Sequence, residues 1–182
     1  KKTLLHGGWD AVTGLPLSDT WEYDGVQWSQ ISIAGADGVT KPQARGNHCL
    51  AYDSVRQKFL LFGGSTSSPA TSPNETGSAT ARNDTWEYDP VAVTWTKKRD
   101  VEANGTAGAA TKVTRAVMAY DAARDKIVLF GGEFTDPSTS AWTSYLTTYT
   151  WNPSTSAWAL VSPANSPVAG AGGQLAYDVP RQ

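Results

Sequence analysis

The sequence predicts an all-β chain made of repeated four-stranded units, and three observations carry that prediction. An Ala-Tyr-Asp triplet occurs three times, at Ala51–Asp53, Ala119–Asp121 and Ala176–Asp178. A Gly-Gly pair follows an apolar run three times, at Gly7-Gly8, Gly63-Gly64 and Gly131-Gly132. An isolated Trp follows an aromatic segment three times, at Trp28, Trp95 and Trp158. The period is about 60 residues with loops of variable length, a spacing that belongs to stacked arrays and propellers. Nothing of useful length reads as an amphipathic helix.

Each unit reads as four short strands. The first ends on Ala-Tyr-Asp. The second is Lys58–Phe62 or Lys126–Phe130, apolar at nearly every position, as a strand covered on both faces requires. The third alternates: Trp86 and Tyr88 fall on one side, Thr85, Glu87 and Asp89 on the other. The fourth begins at the isolated Trp. The links Asp53–Gln57 and Asp89–Thr94 are short and polar or proline-marked, suited to antiparallel hairpins. The chain is therefore one array. Residues 1–31 hold strands two to four of a unit, 45–97 and 113–161 are whole units, and 171–182 carry the first strand of the split one.

At these residues the chain resembles the kelch-repeat β-propellers, the superfamily that includes the central domain of galactose oxidase. The resemblance rests on three double glycines, each followed by aromatics, Asp or Asn, and Trp, and it covers nearly the whole chain. It implies four-stranded blades arranged around a channel. Departures keep side-chain bulk: His6 stands where Phe62 and Phe130 stand, and Tyr149 and Trp151 stand where Trp86 and Tyr88 do.

Three blades' worth of strands fall short of the four to eight that close a propeller. Laid end to start, Ala176–Gln182 and Lys1–Gly7 match Ala51–Gly63 in register with one extra residue, so both termini fall in one hairpin turn. Two arrangements follow from this. Two chains exchanging the strand at Gln174–Asp178 would form a six-bladed homodimer with twofold symmetry. Alternatively, the chain is a piece of a longer propeller whose missing blades lie in the same polypeptide.

Formal charge is −2, with 15 basic and 17 acidic side chains and no basic stripe, which argues against nucleic acid as a partner. Apolar runs stop at about five residues, so no transmembrane helix is expected, and no signal peptide is read at the start. The single Cys49 precludes an intramolecular disulfide and reads as a small buried hydrophobe. Asn74-Glu75-Thr76 and Asn104-Gly105-Thr106 fit the glycosylation acceptor pattern, which by itself assigns no compartment.

Function is expected on the face where the long, variable loops emerge. Four aromatics outside the repeat, Trp9, Phe134, Trp142 and Tyr145, follow a Gly-Gly within these loops and are candidate anchors for a partner or a sugar ring. The alternative is that they cap the small core of the loop itself. Arg45, Asn47, His48 and Arg115 precede or begin first strands and are candidates for a cluster at the channel mouth; Arg45 and Arg115 equally suit hydrogen bonds to carbonyls between blades. Two His and one Cys are too few for a zinc or copper centre, and the copper site of galactose oxidase demands more His and Tyr than the chain supplies. No phosphate loop, nucleophile elbow or metalloprotease motif occurs. Glu133, Asp136 and Asp10 are the carboxylates available for acid–base work, and as loop residues they read as solvated. The expected function is a binding and assembly scaffold without cofactor, metal or catalytic residue, which self-associates and presents loops to a protein or peptide. The resemblance also implies a second class, a carbohydrate-binding or carbohydrate-active propeller with its ligand at the channel mouth.

Overall fold

A computed structural model describes residues 2–67, 80–135, 139, 141–168 and 172–178. Thirteen strands and no helix occur among them. The first sheet has three antiparallel strands, β1 (Thr3–Trp9), β2 (Pro16–Tyr23) and β3 (Trp28–Ile31). The second is a four-stranded meander of β4 (Cys49–Asp53), β5 (Lys58–Phe62), β6 (Thr85–Asp89) and β7 (Thr94–Arg99). Next come β8 (Val117–Asp121) and β9 (Lys126–Phe130), a small hairpin of β10 (Glu133–Thr135) and β11 (Trp142–Ser144), then β12 (Thr148–Asn152) and β13 (Ala157–Val161). The third sheet has the order β13-β12-β9-β8, so the hairpin stands outside it as an insertion between its second and third strands.

The aspartates that end strands also hold the turns. Asp53 Oδ1 accepts from the backbone N–H groups of Val55 and Arg56, and Asp89 Oδ1 from those of Val91 and Ala92. Each side chain closes the loop that follows its own strand. The register bears out the aromatic exchange: Trp86 pairs with Leu61 and Tyr149 with Leu129, while Tyr88 faces Phe59 and Trp151 faces Ile127.

Packing between sheets repeats as well. The second sheet buries Leu61, Trp86, Tyr88 and Trp95 with Leu4 of the first sheet. Its opposite face, Cys49, Ala51, Leu60 and Phe62, packs with Ile127, Leu129, Trp151 and Trp158 of the third. At each junction an indole reaches across: Trp95 Nε1 donates to Thr20 Oγ1 (3.4 Å) and Trp158 Nε1 to Thr85 Oγ1 (2.9 Å). The expectation that second strands are covered on both faces therefore holds best for β5, where Leu60, Leu61 and Phe62 are buried and Phe59 partly so. In β9, Val128 and Phe130 are half-buried, and in β1, Leu5 is exposed, because the outer sheets each have one neighbour.

The double glycine has a steric cause. Gly64 has φ +89°, and a Cβ there would lie 2.6 Å from the Gly46 carbonyl oxygen and 2.8 Å from the His48 backbone nitrogen. A side chain fails both the dihedral and the space.

The strand expected over Gln174–Asp178 is not formed; the segment has no ladder partner and Leu175 is exposed. A strand needs an adjacent edge to pair with, and no edge among the described residues pairs with this segment. The approach to the segment nevertheless repeats. Arg115 N donates to Asn47 O (2.9 Å), and Gly172 N donates to Arg115 O (3.0 Å). All three residues have left-handed φ values, 56° at Asn47 and Arg115 and 71° at Gly172, and each lies five positions before its tyrosine. Farther along, Ala123 N donates to the Tyr177 hydroxyl (3.0 Å). Residues 179–182 of the split turn, the Asn74-Glu75-Thr76 motif and Asp136 lie outside the described residues.

Candidate functional site

The loops between second and third strands, and between fourth strands and the next first strand, open on one rim. There the candidate residues form two groups. Around the start of β4, Gly8 N donates to Arg45 O (2.9 Å), Arg45 N to Leu17 O (3.0 Å), and Gly46 exchanges backbone hydrogen bonds with Ser65. Trp9 is half-buried with its indole against Gly46, where an added Cβ would collide with the ring. Around the start of β8, Thr114 and Glu133 exchange backbone bonds of 3.0 and 2.9 Å, which tie Arg115 to the β10–β11 hairpin. The Arg115–Asn47 bond joins the two groups.

Arg45 is an internal tie. Its side chain is 1% exposed and its guanidinium grips both oxygens of Asp84, at 2.7 and 2.8 Å, the bidentate geometry that suits arginine to carboxylate. It also donates to the carbonyls of Gly63 and Gln43, each at 3.0 Å. Burial pushes the Asp84 carboxyl up, but the Arg45 charge and the hydrogen bonds from Arg45 and Trp86 outweigh it, leaving a net lowered pKa. Asp84 was not among the sequence candidates. Its signal lies in the repeated Asp-Thr-Trp at Asp19–Trp21 and Asp84–Trp86, where each aspartate accepts from the indole two residues on.

His48 sits beside His6, with ring centroids 5.8 Å apart. His6 also stacks on Trp95 at 4.9 Å, and its Nδ1 lies 3.0 Å from Thr20 Oγ1. His6 Nε2 and His48 Nδ1 are sealed from solvent without a hydrogen-bond partner. Burial, reinforced by the charges of His48, Arg45 and Lys41, lowers the His6 pKa to about 2. Burial and the Arg45 charge lower that of His48 to about 4, against opposing contributions from the His6 backbone and Asp84. Both rings are neutral at physiological pH.

Arg115, by contrast, faces outward. Its side chain is 46% exposed and pairs at 2.8 Å with Glu133, whose carboxylate is buried. Arg45 and Arg115 thus lie inside and outside the same rim, one buried on Asp84 and the other exposed on Glu133. Phe134 is half-buried in β10, and Tyr145 is half-buried against the core formed by the second and third sheets. Trp142, paired with Thr135 at the outer end of the hairpin, is 61% exposed, the most accessible Trp among the described residues. Of the eight candidates, Arg115 and Trp142 are the ones that combine chemistry with exposure.

Other groups have structural occupations. Asp10 Oδ1 accepts from the N–H groups of Val12 and Thr13 and holds the β1–β2 turn. Cys49 is buried, and burial pushes its thiol up to about 12, far from thiolate chemistry at neutral pH. No group of three or more His, Cys, Asp or Glu is placed to hold a metal ion among the described residues. No helix among them is long and apolar enough to cross a membrane.

Residues 46–101, which span the second sheet, match the family described as Kelch motif. No curated protein matches the chain. The second sheet is thus similar to a kelch motif, in an all-β chain whose third sheet repeats its strand order and whose first sheet repeats the register of its last three strands. Kelch domains commonly mediate interactions between proteins.

Proposed function

We propose that the chain is a non-catalytic interaction and assembly scaffold, a half-propeller that closes by self-association and offers its loop rim to a protein or peptide. The observation that carries self-association is the backbone relay from Asn47 through Arg115 to Gly172. It starts β4, then β8, then the segment Gln174–Asp178, which approaches as a first strand and lacks its second. β1, at the other end of the chain, is a second strand without a first. In the repeat register Ala176 aligns opposite Leu4, as Ala51 does opposite Leu60 and Ala119 opposite Val128.

Light scattering on the isolated chain is expected to give twice the 19.4 kDa protomer mass. A folded monomer overturns the self-association, and the missing strands then belong to further blades of a longer polypeptide. For the rim, the exposed Trp142 indole, on the hairpin that also carries Glu133 of the Arg115–Glu133 pair, is the expected anchor. Peptides selected against the wild-type chain should lose affinity by roughly 30-fold on Trp142→Ala, the scale of an aromatic hot spot. Equal binding by the variant removes Trp142 from the site. Glycan-array binding that is lost on the same substitution would transfer the rim to the carbohydrate reading.

A further inference from the structure

The loop between β7 and β8 carries a turn whose groups are used neither by the sheets nor by the rim. Thr106 N donates to Ala103 O (3.1 Å), so Asn104 and Gly105 are the central pair of the turn. Gly105 has φ +88°, the left-handed value that favours glycine in the third position of a turn. Residues 103–107 are all exposed. Asn104 Oδ1 accepts from the backbone N–H of Lys112 (2.8 Å). The Asn104 amide nitrogen and the Gly105 N–H make no hydrogen bond among the described residues. A Cβ built on Gly105 would meet nothing within 4 Å, so the space beside its main chain is open.

We infer that Asn104 is a self-modification site, at which the main-chain nitrogen of Gly105 displaces the side-chain amide as ammonia and the resulting cyclic imide opens to aspartate or isoaspartate. In the first step a bond forms between Gly105 N and Asn104 Cγ, the Cγ–Nδ2 bond breaks, and the Gly105 proton leaves with Nδ2. In the second, water adds to either ring carbonyl and the C–N bond at that carbon breaks. The Lys112 N–H is placed to hold the negative charge that Oδ1 gains while the nitrogen adds. No other asparagine in the chain is followed by glycine. Asn83 is buried with both amide atoms engaged, and Asn152 precedes a proline, which has no N–H to react.

The change stays local because Asn83 clamps both ends of the loop, donating to Glu102 O (3.1 Å) and Ala110 O (2.9 Å) and accepting from Glu102 N (2.9 Å). Isoaspartate draws Cγ into the main chain, which moves Oδ1 off the side-chain position that holds Lys112. The released residue adjoins Val113, whose N–H and C=O bond Arg82 and Gly64 on the rim. Either product also ends the acceptor pattern Asn104-Gly105-Thr106.

The test holds the full 182-residue chain at pH 8 and physiological temperature, native and unfolded in guanidinium chloride, and maps its peptides by mass and by enzymatic isoaspartyl methylation. In the native chain Asn104 should convert before any other asparagine. Gly105→Ala, which crowds the attacking nitrogen, should slow the conversion roughly tenfold, the equivalent of about 1.4 kcal/mol on the barrier. In the isoaspartate form the Lys112 amide should exchange hydrogen faster while that of Glu102 keeps its protection. An Asn104 that survives in the native chain and converts only when unfolded overturns the proposal, as does prior conversion of another asparagine. Unchanged Lys112 exchange after conversion overturns the release of the loop.

Discussion

Arg45→Met is expected to lower folding stability by about 3–5 kcal/mol, because it leaves a buried carboxylate without its cation. Asp84 is 4% exposed and holds both terminal guanidinium nitrogens of Arg45, so truncation strands a charge that no solvent reaches. The carbonyls of Gly63 and Gln43 lose a donor in the same step. The contact links the loop before β4 to the loop before β6, so the loss falls on the tie that aligns the second sheet with its connections. Urea unfolding followed by tryptophan fluorescence at fixed protein concentration reads the effect, since association shifts apparent stability by mass action. Adding Asp84→Asn to Arg45→Met should restore part of the loss by removing the stranded charge. A single variant within about 1 kcal/mol of wild type would mean that the pair contributes little.

The legibility of this fold follows from where its side chains spend their interactions. The Gly-Gly exits, the Ala-Tyr-Asp ends and the paired Trp positions recur because each performs the same contact in each sheet, so counting them yields sheets and register. Gly64 meets the Gly46 carbonyl and Gly132 meets the Val113 side chain, and in both cases a sequence motif reports a steric requirement. The β10–β11 hairpin was not legible, because Glu133–Thr135 and Trp142–Ser144 are only three residues each and carry no repeated motif. Arg45 and Arg115 looked alike in sequence as cations approaching first strands. Their fates separate by alignment: Arg115 shares the left-handed position of Asn47, which points its side chain toward the rim, whereas Arg45 stands two residues earlier and turns inward to Asp84. Similarly, Trp28 reads as a packing residue by register, yet no sheet among the described residues covers it, so nearly half of its surface is exposed. What the pattern conveys is the interface; how many sheets are present decides which residues are left on the surface.

The junction between the first two sheets should be acid-sensitive, and the histidine that replaces phenylalanine is the reason. His6 and His48 are neutral when folded, held to about 2 and about 4 chiefly by burial, while in the unfolded chain they titrate near 6.5. Below about pH 6.5 the unfolded state therefore binds more protons, and stability falls as pH falls. The share of His48 stops growing near pH 4, and that of His6 continues toward pH 2. At pH 5 each histidine lies about 1.5 pH units below its unfolded pKa, a loss of about 2 kcal/mol apiece. Every cation facing the pair works in the same direction, Arg45 on both rings and Lys41 on His6, while the His6 backbone and Asp84 oppose, on His48. The Asp84 carboxylate, itself lowered, adds a separate loss only as pH drops below the ordinary carboxylate range. The histidine window is thus distinct from general acid unfolding. Urea midpoints at pH 7.5 and pH 5 should differ for the wild-type chain, and His6→Phe, which restores the residue type found at Phe62 and Phe130, should remove roughly half of that difference. Equal wild-type midpoints at the two pH values would show that the imidazoles find solvent or a partner before they charge.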